Sequence, residues 1–304
     1  MDLQESILLT RSLHGLLLVL AFFTPFSVHA ISLQDARGNF QLDYLPKRVV
    51  ALEYSFVEAL AIVGVSPIGI ADDKDPSRIQ PEVRELISTW TSVGTRSQPS
   101  LEMIASLKPD LIIADINRHS GVYHDLQKIA PTLMLKSRHD TYEGHLDAAR
   151  IIGKVVGKEA QMEARIQQHT ITMAKFAQQL PQGIEVQFGI ALDNHLGLHP
   201  GKSYVGTLLK TLGFKTPSFI KDQTNTVHTG LEQLLANNPE YLIIGHYSDQ
   251  DITYKWQQSP LLKVLKAVRN KHVYHIDNPS IWSRSRGILA AEAIAEKLVD
   301  LLAP

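Results

Sequence analysis

The sequence predicts an α/β protein with two Rossmann-like lobes of mostly parallel sheet, joined by one long backbone α-helix. Three observations support this fold class. Short apolar runs alternate with helical stretches, which is typical of open parallel sheets. One helical stretch without glycine or proline, at 158–180, separates two such series. A pattern found at 101–113 recurs at 231–243.

The first thirty residues are typical of a secretory signal peptide. Arg11 precedes the apolar run 15–23, and the small residues Val28 and Ala30 suit cleavage after Ala30. The apolar run is far shorter than the roughly 20 residues that a membrane-spanning helix needs. We therefore expect residues 1–30 to be removed and the remaining chain to be periplasmic.

The composition excludes several classes of function. The chain carries 30 basic and 31 acidic residues, and removal of the signal leaves 29 of each. This balance argues against a nucleic-acid-binding protein, which needs a basic face. The chain has no cysteine, so a thiol nucleophile, a disulfide framework and a cysteine-linked lipid anchor are all excluded.

The first lobe is predicted at 31–157 and the second at 182–304. Apolar runs without alternation indicate parallel strands that are buried on both faces. In the first lobe the predicted strands are 49–53, 67–71, 111–115 and 132–136, with helices at 56–63 and 100–107. In the second lobe the predicted strands are 186–192, 241–247 and 273–277, with helices at 203–212, 231–237 and 288–302.

The connector is predicted as a single helix within 158–181. It is rich in helix formers, and Met162, Ile166, Met173 and Phe176 give it an apolar face. The recurring pattern lies on either side of it: Leu-Glu, an apolar residue, Pro-acid and a buried strand. Convergent use of one helix-to-strand turn would explain a shorter match, but agreement along the whole segment favours duplication. Two similar lobes leave a cleft, which is a favoured place for ligands.

The residues that follow the strands indicate the class of ligand, because open parallel sheets bind ligands beyond the carboxyl ends of their strands. Several cationic, hydroxyl and aromatic side chains occupy these positions. The candidate ligand-binding residues are Arg96, Ser97, Arg118, His119, Arg138, Ser203, Tyr204, Trp282, Arg284 and Arg286.

Arginine carries a permanently charged planar fork that binds a carboxylate through two hydrogen bonds. Five arginines around one cleft therefore suit a small, multiply charged anion such as a polycarboxylate. Arg284 and Arg286 are two residues apart, so we expect one of them, rather than both, to face the ligand. Asp72 and Asp73 follow a strand and are interpreted as a solvated turn.

Motifs for other chemistry are absent from the sequence. It contains no phosphate-binding G-x-x-x-x-G-K-[ST] loop, no dinucleotide G-x-G-x-x-G and no G-x-S-x-G nucleophile elbow. The histidines are scattered, without an H-E-x-x-H or H-x-H pair. We therefore expect no catalytic residue, no cofactor and no metal ion bound directly by the protein.

Several segments resemble those of the iron–siderophore periplasmic binding proteins, the substrate-binding subunits of ABC importers. The resemblance covers essentially all of the mature chain. The segments are S-F-V-E-A-L at 55–60, G-V-S-P-I-G-I-A-D-D at 64–73, S-V-G-T-R-S-Q-P-S-L-E at 92–102, K-P-D-L-I-I-A-D at 108–115, L-K-S-R at 135–138 and W-x-R-x-R-G-I at 282–288.

This resemblance implies a class III periplasmic-binding-protein fold, that of the helical-backbone metal receptors. The segments that carry arginines are similar to those of family members that bind ferric citrate, in which citrate oxygens hold the iron. The resemblance also implies a monomer that docks on an inner-membrane permease through Glu102 and Glu232, one glutamate from each lobe. A binder of another iron chelate, haem or cobalamin is an alternative, and so is a periplasmic hydrolase.

Overall fold

The computed structural model describes residues 30–217 and 219–303. Residues 1–29, which hold nearly all of the predicted signal peptide, lie outside that range. No helix in the described part of the chain is long and apolar enough to cross a membrane.

The described chain begins with an antiparallel hairpin of β1 (Ile31–Asp35) and β2 (Gly38–Leu42), which is not among the predicted strands. The hairpin is attached to the first lobe by hydrogen bonds to Met134: its N–H donates to the Asp35 carboxylate at 2.9 Å, and its carbonyl accepts from Ala36 at 2.8 Å. Burial alternates along β1, and only its first residue is fully buried, so its sequence lacks the continuous apolar run used to find strands.

The first lobe contains a five-stranded, fully parallel sheet with the order β5-β4-β3-β6-β7. Its strands are β3 (Val49–Ala51), β4 (Gly69–Ile70), β5 (Thr91–Ser92), β6 (Leu111–Asp115) and β7 (Thr132–Leu135). Its helices are α1 (Tyr54–Ala61), α2 (Pro81–Leu86), α3 (Leu101–Ser106), α4 (Ile116–His119), α5 (Tyr123–Ile129) and α6 (Tyr142–Val155). The predicted strand at 111–115 is confirmed to the residue, whereas β5 was missed.

The connector is the single helix α7 (Glu159–Gln179), about 31 Å long at 1.5 Å per residue. Met162, Ile166 and Met173 are buried on it as predicted, and His169 is buried among them. The His169 ring bonds Tyr142 Oη at 2.6 Å and Glu292 Oε1 at 2.7 Å, which ties the connector to helices of both lobes. We retain 31–157 and 182–304 as the proposed lobe boundaries.

The second lobe has a sheet with the order β10-β9-β8-β11-β12, in which β8, β11 and β12 are parallel and β9 runs antiparallel to both of its neighbours, β8 and β10. Its strands are β8 (Val186–Ala191), β9 (Leu196–Leu198), β10 (Val227–Thr229), β11 (Tyr241–His246) and β12 (Val273–Ile276). Its helices are α8 (Tyr204–Thr211), α9 (Leu231–Asn237), α10 (Ile252–Trp256), α11 (Lys266–Arg269) and α12 (Ile288–Leu302). The helices predicted at 231–237 and 288–302 are confirmed to the residue.

The recurring sequence pattern occupies equivalent places in the two lobes. In each sheet the repeat strand, β6 or β11, is fourth in the order, and the repeat helix, α3 or α9, leads into it. The predicted duplication therefore agrees with the topology.

The last helix also joins the lobes. Ile288 at the start of α12 packs into the hydrophobic core of the first lobe. The buried Glu58 of α1 accepts a 2.7 Å hydrogen bond from the Leu289 N–H, which has no partner within α12 because it lies in the first turn. A carboxylate of one lobe thus caps the N-terminus of a helix of the other, so the lobes share contacts beyond the connector.

Candidate functional site

One cavity of about 330 Å³ lies between the lobes, at the carboxyl ends of their strands. Charged and hydroxyl-bearing side chains dominate its wall. The lining residues are Arg96, Arg118, Arg138, His139, Asp140, His199, Ser203, Tyr204, Thr224, Thr226, Trp282, Ser283, Arg284 and Arg286. Eight of the ten predicted ligand-binding residues are therefore brought together, including all five arginines.

The other two predicted residues, Ser97 and His119, do not line the cavity. Ser97 is exposed and its hydroxyl interacts with Thr95 Oγ1 at 3.2 Å. His119 is fully buried: its Nδ1 accepts from the Asp115 N–H at 2.9 Å, and its Nε2 bonds the Arg96 carbonyl at 2.8 Å. Burial lowers the pKa of His119. His119 thus supports the loop that carries Arg96 rather than facing a ligand.

Asp115, the last residue of β6, positions two of the arginines. One carboxylate oxygen accepts from the Arg118 N–H at 2.8 Å and begins α4. The other accepts from the N–H groups of Ser137 at 2.7 Å and Arg138 at 3.1 Å. A single buried carboxylate therefore fixes the backbone of both arginine-bearing segments.

Arg96 is held by Asp73, for which the sequence predicts a solvated turn. That interpretation is wrong for both aspartates. Asp73 accepts from the Arg96 guanidinium at 2.8 and 3.1 Å and from its N–H at 2.8 Å, and Asp72 is fully buried against Trp90. Burial acts to raise the pKa of Asp73, but its bonds to Arg96 outweigh burial and hold that pKa far below its usual range.

A buried carboxylate, Glu53, lies below the arginines and was not predicted as part of the site. Its side chain is 1% exposed, forms an ion pair with the Arg118 Nε and lies 3.7 Å from Arg96 Nη1. Burial raises the pKa of Glu53, and the charges of Arg286, Arg118 and Arg96 oppose that rise. The sequence does show an acidic residue directly after the buried run Val-Val-Ala-Leu. The predicted strand 49–53 included this residue, so it was not considered as part of the site.

The wall from the second lobe is formed by a π-helical turn, Ile281–Ser285, followed by Arg286 in the left-handed conformation at φ 59°. Because the chain reverses its curvature there, Arg284 and Arg286 both line the cavity, whereas one was expected. Arg286 donates to the Ser137 carbonyl of the first lobe at 3.1 Å, and Arg284 lies over the Tyr247 ring at 4.2 Å.

Arg286 sits in a strongly cationic environment. Burial lowers its pKa to about 10, the charges of Arg96 and Arg118 add to that effect, and Glu53 opposes it. The cation is therefore less stable here than in water. An anion in the cavity would restore much of the lost stabilisation, since opposite charges interact strongly where water is scarce.

The remaining predicted residues of the second lobe also support the local fold. Ser203 Oγ accepts from the Gly206 N–H at 3.1 Å and thereby begins α8. Tyr204 Oη donates to the Gly287 carbonyl at 2.6 Å, and Trp282 packs on Phe188 at 4.9 Å between ring centroids. These three shape the wall.

Arg138 and Arg284 differ from the other cavity arginines. Within residues 30–217 and 219–303, neither makes an ion pair, whereas Arg96 and Arg118 are paired with carboxylates. Arg286 has no ion pair in the described chain either, but its guanidinium is committed to the Ser137 carbonyl. Arg138 and Arg284 therefore offer hydrogen-bond donors and charge to a ligand without first breaking an internal pair. The cavity can therefore bind a small polyanion. Arg96, Arg118 and Arg286 are held by the protein at its floor, and Arg138 and Arg284 are free to contact the ligand from its sides.

The two glutamates expected to dock on a permease lie in the first turns of α3 and α9, and both are exposed. Ser100 begins α3 by accepting from the Met103 N–H at 3.2 Å, and Gln233 begins α9 by accepting from the Gly230 N–H at 3.3 Å. Glu102 and Glu232 thus occupy corresponding positions of the two lobes.

A model of the periplasmic binding protein family matches residues 49–279. The chain is 48% identical to the Fe(3+) dicitrate-binding periplasmic protein FecB of Escherichia coli, over 94% of this chain and 93% of that protein. It is 39% identical to the Fe(3+)-citrate-binding protein YfmC of Bacillus subtilis, over 88% and 84%.

Solved structures show the same fold. The crystal structure of Staphylococcus aureus SirA complexed with staphyloferrin B superposes with a TM-score of 0.78 at 24% identity, covering 89% of this chain and 97% of that one. The triscatecholate siderophore binding protein FeuA of Bacillus subtilis, complexed with ferri-bacillibactin, matches with a TM-score of 0.74 at 15% identity, over 89% and 97%.

Proposed function

The chain belongs to the periplasmic binding protein family, and from that premise we propose that it captures ferric citrate in the interlobe cavity and delivers it to an inner-membrane ABC importer. The family consists of binding proteins, so the chain is a substrate-binding subunit and not an enzyme, and a hydrolase finds no support. The observation that carries the choice of ligand is the convergence of five arginines on one cavity.

Charge supports a polycarboxylate ligand. The five arginines of the wall face one carboxylate of the lining, Asp140, together with Glu53 beneath and Asp73 beside Arg96. The wall therefore keeps an excess of positive charge. A ferric citrate complex presents several carboxylate oxygens around a metal, and guanidinium groups bind such oxygens through paired hydrogen bonds.

The protein contacts citrate, and citrate oxygens hold the iron. No group of three histidine, aspartate or glutamate side chains suited to a metal is found within residues 30–217 and 219–303. In this proposal Arg138 and Arg284 bind ligand carboxylates directly. Arg96, Arg118 and Arg286 form a cationic floor, and the hydroxyls of the second lobe complete the wall.

The binding test compares ferric citrate, iron-free citrate and haem by titration calorimetry. Arg138→Gln and Arg284→Gln should each weaken ferric citrate binding by about tenfold to hundredfold, because a hydrogen bond to a charged group contributes about 1.5–3 kcal/mol. The matched control is Arg84→Gln, an exposed arginine of α2 outside the cavity. Arg96 is a poor choice of variant, because it pairs with both Asp73 and the buried Glu53, so its loss would also destabilise the fold.

Ferric citrate affinity that survives the double change of Arg138 and Arg284 would refute the arginine cavity. If the protein binds haem, cobalamin or a catecholate but does not bind ferric citrate, its ligand is a different one from that proposed here. Binding in 500 mM salt should be weaker than in 50 mM salt, because ions screen the charges of the exposed Arg138 and the half-buried Arg284.

We also propose that the loaded protein, released as a periplasmic monomer by cleavage after Ala30, docks on the permease through Glu102 and Glu232. Their exposure and their corresponding places in the two lobes support this role. Glu102→Ala with Glu232→Ala should abolish transport and leave ferric citrate binding intact. Glu82→Ala, an exposed first-turn glutamate of α2, is the matched control. Normal transport by the double variant would contradict the docking role.

A further inference from the structure

The second lobe carries a hydrogen-bonded chain of three side chains outside the cavity wall, at the carboxyl edge of its sheet. His246 ends β11, His275 lies in β12 and Asp251 precedes α10. The parallel register pairs Ile244 with His275, and since alternate residues of a strand face the same side, His246 and His275 share one face of the sheet. His246 Nε2 lies 2.7 Å from His275 Nδ1, and His246 Nδ1 lies 2.6 Å from Asp251 Oδ2.

Asp251 fixes the orientation of the His246 ring. Its side chain is 3% exposed, and it also accepts from the N–H of Thr253 at 2.9 Å and from its hydroxyl at 2.6 Å. An ionised carboxylate only accepts, so His246 Nδ1 carries the hydrogen and its Nε2 presents a lone pair towards His275.

His275 completes the pair from the solvent side. His275 is exposed, so its ring can turn without displacing core side chains. A neutral imidazole is the form that binds transition metals.

We propose that His246 and His275 form a binding site for a divalent transition-metal ion such as Zn²⁺ or Cu²⁺, coordinated by His246 Nε2 and His275 Nδ1. A histidine ligand whose other nitrogen donates to a carboxylate is a recurrent feature of metal sites, and Asp251 supplies that carboxylate. At Zn–N distances near 2.0–2.1 Å in a tetrahedral site, the two nitrogens must move to about 3.3 Å apart. Rotation of the exposed His275 ring provides this opening.

Metal binding requires one hydrogen to change place, the one on His275 Nδ1. The hydrogen on His275 Nδ1 is exchanged through water to Nε2 as the metal takes its place. Because no third histidine, aspartate or glutamate of the described residues completes the set, water fills the other coordination positions. The site therefore suits a labile metal ion rather than a permanently held structural one.

The test uses zinc chloride with the full mature protein in citrate-free buffer, because citrate itself chelates Zn²⁺. Titration calorimetry measures the affinity, and long-range ¹H–¹⁵N NMR spectra of the imidazole rings identify the nitrogens that respond. His246→Gln and His275→Gln should each reduce the affinity of this site at least tenfold. Asp251→Asn should reduce it about tenfold to hundredfold, as expected for a carboxylate that orients a histidine ligand.

His124→Gln, which changes an exposed histidine of α5, is the control and should bind Zn²⁺ as the unaltered protein does. Circular dichroism checks that each variant is folded, and the exposed His275 provides a variant that removes no buried group. Full Zn²⁺ affinity in His275→Gln would overturn the proposal, as would unshifted His246 and His275 nitrogen signals at millimolar Zn²⁺. Ferric citrate binding measured separately on the same variants should be unchanged, because neither ring lines the cavity.

Discussion

Gly287→Ala tests the contact that joins α12 to the first lobe. Gly287 precedes α12 with φ −139° and ψ −165°, an extended conformation that alanine adopts without strain. A Cβ atom at this position would lie 2.3 Å from the carboxylate atoms of Glu58. The cost of the substitution therefore arises from the collision alone, and relief of the collision should remove it.

The expected destabilisation is about 3 kcal/mol. Overpacking of a buried contact costs about 1–3 kcal/mol. Displacement of Glu58 would also leave the Leu289 N–H and a buried carboxyl oxygen without partners, which costs about 1–3 kcal/mol. The two costs overlap, because a carboxylate that moves away relieves the collision while it loses its hydrogen bond.

Urea denaturation at pH 7 measures the free energy of unfolding of Gly287→Ala, Glu58→Ala and the double variant. Removal of the Glu58 carboxylate leaves room for the new methyl group, so Gly287→Ala should cost less than about 1 kcal/mol in the Glu58→Ala background. The coupling energy should then be about 2 kcal/mol. Gly121→Ala, where a Cβ meets no atom within 4 Å, is the control and should stay within about 0.5 kcal/mol.

An equal cost of Gly287→Ala in both backgrounds would refute this reasoning. It would mean that the glycine is required for the backbone itself and not for the approach of Glu58.

Three further predictions concern the surroundings of the cavity. Asp73→Asn should lower the free energy of unfolding by about 3 kcal/mol in urea because Arg96 loses the nearer of its two carboxylate partners, whereas Asp75→Asn on the exposed turn should cost far less. Burial lowers the pKa of His199 to about 4, with Arg286 acting in the same direction, so its contribution to stability is present above about pH 6.5 and lost as pH falls towards 4. His199→Gln should therefore flatten the pH dependence of the urea midpoint, and an unchanged profile would contradict the pKa assignment. Gly206→Ala would place a Cβ 2.1 Å from the Pro200 carbonyl oxygen and should cost about 1–3 kcal/mol by the same assay, with Gly121→Ala again as the control.

The parts of the fold that bury continuous apolar runs could be predicted from the sequence. The bounds of β6, α9 and α12 match because each element is an apolar run or stripe bordered by clear start or stop residues. The hairpin β1–β2 and the edge strand β5 were missed because they are short and half-exposed. β1 pairs with β2, and the hairpin is attached to the lobe through Met134, while β5 pairs with β4. No continuous apolar run marks these contacts in the sequence.

The site was predictable to the extent that its residues follow strands. Arg96, Arg118 and Arg138 line the cavity as that rule predicts. Ser97 and His119 obey the same rule but do not line it, since neighbouring side chains in a turn point in different directions. Glu53 was missed because it directly follows a buried strand, and the local sequence does not show that its carboxylate pairs with arginines from other segments.

The role of α12 has a consequence for the order in which the chain completes its fold. Glu58 and the core around Ile288 lie in the lobe that is synthesised first, but their partners come from the last helix of the chain. The buried Glu58 carboxylate of the first lobe therefore lacks its hydrogen-bond donor until residues 287–302 have been synthesised. We expect the two lobes to unfold in a single cooperative transition, and a chain that stops before Gly287 to leave both lobes incomplete.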